Sequence, residues 1–432
     1  MSKKYQNGVT LTVLVVTIVV LLILAAITIT AVFDDGGIMD KAKEAQNKVD
    51  EGIEKDKEDA NKLSNSLQDY LDELNPKITD SSLKSNDRTT ASSTVIAEDE
   101  KGNQVVVPGG FKVAADSGTS VQQGIVIEDK DGNQFVWIPV SNTNNDGSNK
   151  IIKNDGSEVE ITLGRYTFAT TTPGTPTLVQ KGSEYAEVTA ANVADGTVAT
   201  KYKGGDYFYE LSDSRTSNEK TDLTGTNTTA KNLQDFITKT NKNKGFYIAR
   251  YEASYGSGYN SSGSTTAAKY GDAKPLSKVS TANSESSMNY TAGTLWNFIR
   301  QGQAAIVSQN MYKNDSYVES DLVNSYAWDT AIVYIQSMGN SNYANANGAV
   351  NTTLKNTGAT GDQKCKIFDM AGNLEEWTTE YSAGTGSSKA YPCTFRGGCY
   401  KYPKNTYTSV RSNTDATNNF GGISFRPLLY VK

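Results

Sequence analysis

The chain contains no histidine. That removes the side chain whose unperturbed pKa suits proton transfer at neutral pH, and with it the commonest transition-metal ligand. Most hydrolase triads and zinc sites are therefore excluded. Cysteine is scarce as well: Cys365, Cys393 and Cys399 are the only three, all in the last fifth of the chain and without CxxC spacing. This argues against zinc or redox chemistry and for an oxidising compartment with one disulfide and one further thiol. Basic charge is also lacking. The net charge is −6, and the lysines form no stripe. Such a chain has no electrostatic footprint for DNA or RNA, so nucleic acid is excluded as a partner. At about 150 residues per domain, a 432-residue chain should form two or three structural units.

What is present begins with an uncharged stretch over residues 9–33, preceded by Lys3 and Lys4 and followed by Asp34 and Asp35. It is long enough to cross a bilayer at 1.5 Å rise per residue. The flanking charges predict a single-pass membrane segment with everything after Phe33 outside the cell. The run is too long for a cleaved signal peptide and ends without a small-x-small site. A short polar leader, residues 1–8, ends in Gly8 and joins Val9-Thr10-Leu11 directly. This junction resembles the prepilin class of type IV pilins and pseudopilins. The resemblance implies cleavage between Gly8 and Val9 by a prepilin peptidase, and association with itself or with other pilins in a pilus. Pilins carry a glutamate five residues after the cut where this chain has Val13, which leaves polymerisation open. A plain membrane anchor is the alternative.

After Gly36-Gly37, apolar residues recur at Ile38, Ala42, Ala45, Val49, Ile53, Ala60, Leu63, Leu67, Tyr70 and Leu74. Spacings of three, four and seven predict a stalk helix over 34–75, ending before Pro76. Residues 76–104, rich in Ser, Thr, Asp and Lys, read as a flexible linker. Beyond it GNQVVVP (102–108) is echoed by GNQFVWIP (132–139), and 124–140 reads as a hairpin. Asp129, Asp131 and Asn133 lack the glycine and glutamate that an EF-hand loop needs after them, so they are read as a turn. Residues 141–231, rich in Asn, Thr, Ser and Gly, read as an insertion, with strands at 161–168 and 185–189. GFYIARYEAS (245–254) alternates as a half-buried strand does, while 295–301 and 325–337 carry helical spacing.

Three blocks then stand in a specific order: GFYIARYEAS, IFDMAGNLEEW and FRGGCY, the last followed by GGISFRP. Together they resemble the formylglycine-generating enzyme, or sulfatase-modifying factor, superfamily over residues 105–432. The resemblance implies an α+β fold: a long pilin-like helix followed by a C-type lectin-like domain with much irregular structure. It also implies calcium, held through the side chains of Asp369 and Glu376 and the carbonyls of Gly372 and Leu374. Oxygen ligands around a tight turn suit such a hard cation. The two copper-binding cysteines of the family's oxidases fall on Tyr402 and Tyr407, and its iron-dependent branch needs histidine. No catalysis is expected of this chain. Cys365 and Cys393 flank the expected calcium loop, and pairing them would close about 28 residues. Cys393 with Cys399 is the alternative pairing.

The stretch YKYPKNTYTSVRSNTDATNN (400–419) has the Tyr, Asn, Ser and Thr vocabulary of paratopes. In C-type lectin folds of this kind, the C-terminal segment can be the variable region of a diversity-generating retroelement. A binding face over 399–419 is expected, formed by Tyr400, Tyr402, Asn405, Tyr407, Ser409, Ser412, Asn413, Asp415, Asn418 and Asn419. Arg396, Gly397, Gly398, Phe425 and Arg426 are expected to be fixed scaffold. The predicted function is a cell-surface, pilin-anchored adhesin or receptor for an unknown protein or glycan ligand. The competitors are a structural minor pilin and an enzyme whose chemistry the known motifs do not reveal.

Overall fold

The computed structural model describes residues 11–30, 39–74, 76–90, 92–141, 150–169, 174–185, 208–210, 233–345, 353–382, 393–402, 407–415 and 417–432. The chain divides into two compact units, Met1–Leu74 and Asn75–Lys432.

The first unit holds helices α1 (Leu11–Thr30) and α2 (Met39–Leu74). Within α1 the side chains described run from Val13 to Leu24 and are mostly exposed aliphatics. Among the described residues no helix is long and apolar enough to cross a membrane. The expected leader and its Gly8–Val9 junction lie outside the described residues. The exposed faces of α2 carry ion pairs one turn apart, Lys57 with Glu54 and Lys62 with Glu58, which add a few tenths of a kcal/mol each, ~0.3.

The second unit mixes strands with helices and is α+β. Its central sheet has six antiparallel strands in the order Val318–Leu322, Pro427–Val431, Gly245–Ala249, Gln134–Pro139, Val126–Asp129, Phe111–Val113. The predicted hairpin at 124–140 thus becomes two neighbouring strands, and GFYIA lies beside it, wholly buried. A second sheet carries the C-terminal motifs. There Glu375–Ser382 pairs antiparallel with Cys393–Arg396, which pairs with Arg411–Thr414, while Ile423–Phe425 lies parallel to Glu375–Ser382. All four tryptophans, Trp137, Trp296, Trp328 and Trp377, are buried in the core.

Two expectations need correction. The stretch read as a flexible linker folds into the second unit: Ile78 and Leu83 are core residues, and Val95–Glu98 pairs with Gln104–Val107. Its few apolar residues are spaced to reach the core, which composition alone hides. The helix read at 295–301 begins instead at Gln301 and runs to Met311. Residues before it are drawn off helical geometry by Phe298, at φ 54. In the insertion a strand forms at Gly164–Phe168, within the expected 161–168, with further strands at Ile151–Ile152, Glu158–Val159, Pro176–Lys181 and Phe208–Glu210, while 186–189 lies outside the described residues. The helix expected at 325–337 forms over Ser325–Ser337, with Asn324 accepting the N–H of Ala327 as its cap.

Candidate functional site

Two buried arginines hold the ends of the Tyr- and Asn-rich segment. Arg396 closes the strand Cys393–Arg396 and is fully buried. It donates to Asp329 at 2.7 Å, to Glu380 at 3.3 Å and to the carbonyl of Val410 at 2.9 Å. Its guanidinium also lies 5.7 Å from the Trp328 ring centroid, within cation–π range. Arg411 completes the cluster by donating to Glu380 at 3.0 Å, to the carbonyl of Tyr166 at 3.1 Å and to Asp329. Arg165 approaches Glu380 at 3.7 Å. Burial opposes ionisation of Glu380, but Arg411, Arg396 and Arg165 together outweigh it and hold the carboxyl below its usual range.

At the other end Arg426, also fully buried, forks onto Glu376 at 2.6 and 2.9 Å. Its remaining donors reach the carbonyls of Ala249 and Phe368, each at 2.8 Å. A bidentate pair of this kind fixes geometry as well as charge.

Between these anchors the chain makes a tight entry. Gly397 sits at φ 85, and a Cβ on Gly398 would stand 2.1 Å from the carbonyl oxygen of Ala371. Only glycine fits this approach to the 369–376 turn. Cys399 is buried, and Gly422 Cα faces it from the returning strand: the thiol lies 3.7 Å from the Gly422 carbonyl. Burial pushes this thiol up to about 12.

The expected face residues divide by exposure. Tyr402 is 59% exposed and Asn419 is exposed, while Tyr407, Ser409, Ser412, Asn413, Asp415 and Asn418 are half-buried. Asp415 accepts the N–H and hydroxyl of Thr417, each at 2.7 Å, which shapes the turn beneath Asn418 and Asn419. Tyr400 departs from expectation. It is only 3% exposed and belongs to a small cluster with Leu295, Leu374 and Cys399, because the turn after Gly398 points it inward. Asn405 lies outside the described residues.

Sequence reasoning missed several contributors. Phe420 is 51% exposed at the end of the segment, and its carbonyl accepts the N–H of Phe298 at 3.3 Å. Buried Asn297 donates to the carbonyls of Gly421 and Ser284, at 3.0 and 3.1 Å, so residues 284–298 back the segment. The FGG following a polar run was a readable signal for Phe420. Nothing local marked Asn297 or the scaffold role of Arg411.

The expected disulfide is not formed in this structure. All three cysteines are thiols. Cys365 packs against the main core, where burial pushes it up to about 12, whereas Cys393 belongs to a different apolar cluster. Cys393 opens the strand 393–396 and belongs to one apolar cluster, whereas Cys399 lies three residues past that strand in another.

The side chains expected to hold calcium are engaged by donors of the protein itself. Asp369 accepts the N–H of Gly358 at 2.6 Å and the hydroxyl of Thr360, and Glu376 accepts from Arg426. Among the described residues no group of three or more His, Cys, Asp or Glu side chains could hold a metal ion. Gly372 and Leu374 lie in the buried turn, where Leu374 donates its N–H to Glu252 at 2.9 Å.

No protein-family model and no curated protein matches the sequence. Among solved structures, CarF is similar at 16% identity and a TM-score of 0.30, over 44% of this chain and 87% of that one. The major tropism determinant P3c variant is similar at 14% identity and a TM-score of 0.25, over 81% of this chain and 98% of that one. Overlays this loose do not define the fold.

Proposed function

We propose that the chain is a cell-surface ligand-binding protein whose second unit presents the 399–419 segment as a recognition face. The apolar run at 9–33 anchors it in a membrane, after pilin-like processing at Gly8, and α2 acts as a stalk. The observation that carries this reading is the bracketing of the segment. Arg396 and Arg426 bury their charges at its two ends, while Tyr402, Asn419 and Phe420 project outward between them. Exposed aromatic and amide side chains on a rigid base supply contact area and adaptable hydrogen bonds at low entropic cost. On this reading the domain is a non-catalytic, C-type lectin-like module. Variation of the exposed positions, as a diversity-generating retroelement would produce, leaves the two ion clusters intact.

The test uses residues 75–432, since the cut must precede Ile78 and Leu83. This fragment is screened against arrayed glycans and surface proteins, and each hit is repeated with Tyr402→Ala and Tyr407→Ala. A tenfold or greater loss of affinity, about 1.4 kcal/mol, in folded variants supports the face. Undiminished binding by both variants sinks it. A near-copy of the final codons beside a reverse-transcriptase gene supports diversification, and its absence removes that part alone.

A further inference from the structure

The resemblance noted above implies a calcium ion at the 369–376 block, but the side chains there have another use. We infer that this block is built to work without a divalent cation, with the guanidinium of Arg426 serving as its internal counter-ion.

Calcium takes six to eight oxygens at about 2.3–2.6 Å, and at least two of its usual ligands are carboxylates. Here four of the carboxylates near the block, Glu376, Asp369, Glu252 and Asp362, are already engaged by protein donors. Both oxygens of Glu376 are held by Arg426 at 2.6 and 2.9 Å. Asp369 accepts from Gly358 and Thr360, and Glu252 accepts from Asn373 and from the N–H of Leu374. Asp362 accepts the N–H of Ala371 at 2.7 Å and the hydroxyl of Tyr343 at 3.1 Å.

Arg426 cannot swing aside for a cation. It sits between the strands Ile423–Phe425 and Pro427–Val431, and its carbonyl accepts the N–H of Val323 at 3.1 Å. Two further side-chain bonds, to the carbonyls of Ala249 and Phe368, tie its planar fork to the central part of the domain. A cation reaching Glu376 would leave that guanidinium buried without its partner, a loss that a single buried ion does not offset. The turn itself is shaped from within. Asp369 and Asn373 both take left-handed φ values, 65 and 60, which short polar residues tolerate, and their side chains accept the N–H groups of Gly358 and Lys355.

The experiment uses the full chain in detergent micelles, with EDTA, calcium and terbium as probes. The expected melting temperature is the same in excess EDTA and in millimolar CaCl2, to within about a degree. Because Trp377 adjoins Glu376, a lanthanide bound at the block would emit when tryptophan is excited, and no such emission is expected. A fall of several degrees on chelation, reversed by calcium, would overturn the inference. So would tryptophan-sensitised terbium emission that disappears in Asp369→Asn. Both readings are made on unmodified protein first, so a variant that misfolds leaves the outcome decided.

Discussion

Gly398 shows how little freedom the entry to the proposed face has. A methyl group there would meet the backbone oxygen of Ala371 at 2.1 Å and its carbon at 2.7 Å, and backbone cannot yield as a side chain can. Gly398→Ala should therefore destabilise the second unit by about 3 kcal/mol, measured by urea unfolding, whereas Ser412→Ala should change stability by less than about 0.5 kcal/mol. Cys399, the next residue, is shielded in a different sense. With Cys365 and Cys399 both pushed up to about 12 by burial, neither thiol should react with a disulfide reagent at pH 8 until the protein is unfolded. Rapid labelling of native protein at either cysteine would contradict this account and reopen a reactive role.

At the scale of elements, one turn is built twice. Asp99 accepts the N–H groups of Lys101 and Asn103 and the side chain of Asn103, and Asp129 does the same with Asp131 and Asn133. In each turn the glycine before the asparagine takes positive φ, at Gly102 and Gly132. The echoed GNQ, with Asp129, Asp131 and Asn133 read as a turn, made these turns legible in the sequence, because each contact spans at most four residues. What the asparagines do next was not legible. Asn103 reaches both backbone groups of Ile152, Asn133 receives the N–H of Ser277, and Asp129 receives the hydroxyl of Tyr312. Partners 49 to 183 residues away leave no local trace. The same holds at the proposed face: Arg396 and Arg426 were readable as scaffold from their motifs, but Asp329, which binds Arg396 across 67 residues, was not. Asp129→Ala removes the acceptor of four bonds and should cost about 3 kcal/mol. Tyr312→Phe removes one and should cost about 1 kcal/mol. Phe keeps the ring packing against Phe111 and Phe135, so equal effects in thermal melts would mean that the single Tyr312 hydroxyl bond, rather than the turn, dominates.

Across the whole second unit, buried charge is divided unevenly, and this gives the molecule a definite response to pH. The cluster at Arg396 has more cations than acids, whereas Arg426 faces Glu376 with Glu252 and Asp369 close by. Burial raises Glu252, Asp362 and Glu376, lifts Asp369 to about 6 and lifts Glu375 to about 8. An acid whose folded pKa exceeds its unfolded value holds its proton more tightly in the native state. Its contribution is therefore complete below the unfolded pKa and is lost as pH climbs toward the folded one. For Glu375 that window runs from its ordinary 4.5 to about 8. Asp116, held low by Arg250, and Glu380 work in the opposite sense, but only below the ordinary carboxylate range. Between pH 5 and 8 the raised acids act unopposed by these two. The melting temperature of residues 75–432 should consequently fall as pH rises from 5 to 8, and Glu375→Gln, which imitates the protonated acid, should flatten the decline. Melts that rise toward pH 8, or a Glu375→Gln profile parallel to that of the unmodified protein, would show that Glu375 is ionised and compensated in the native state.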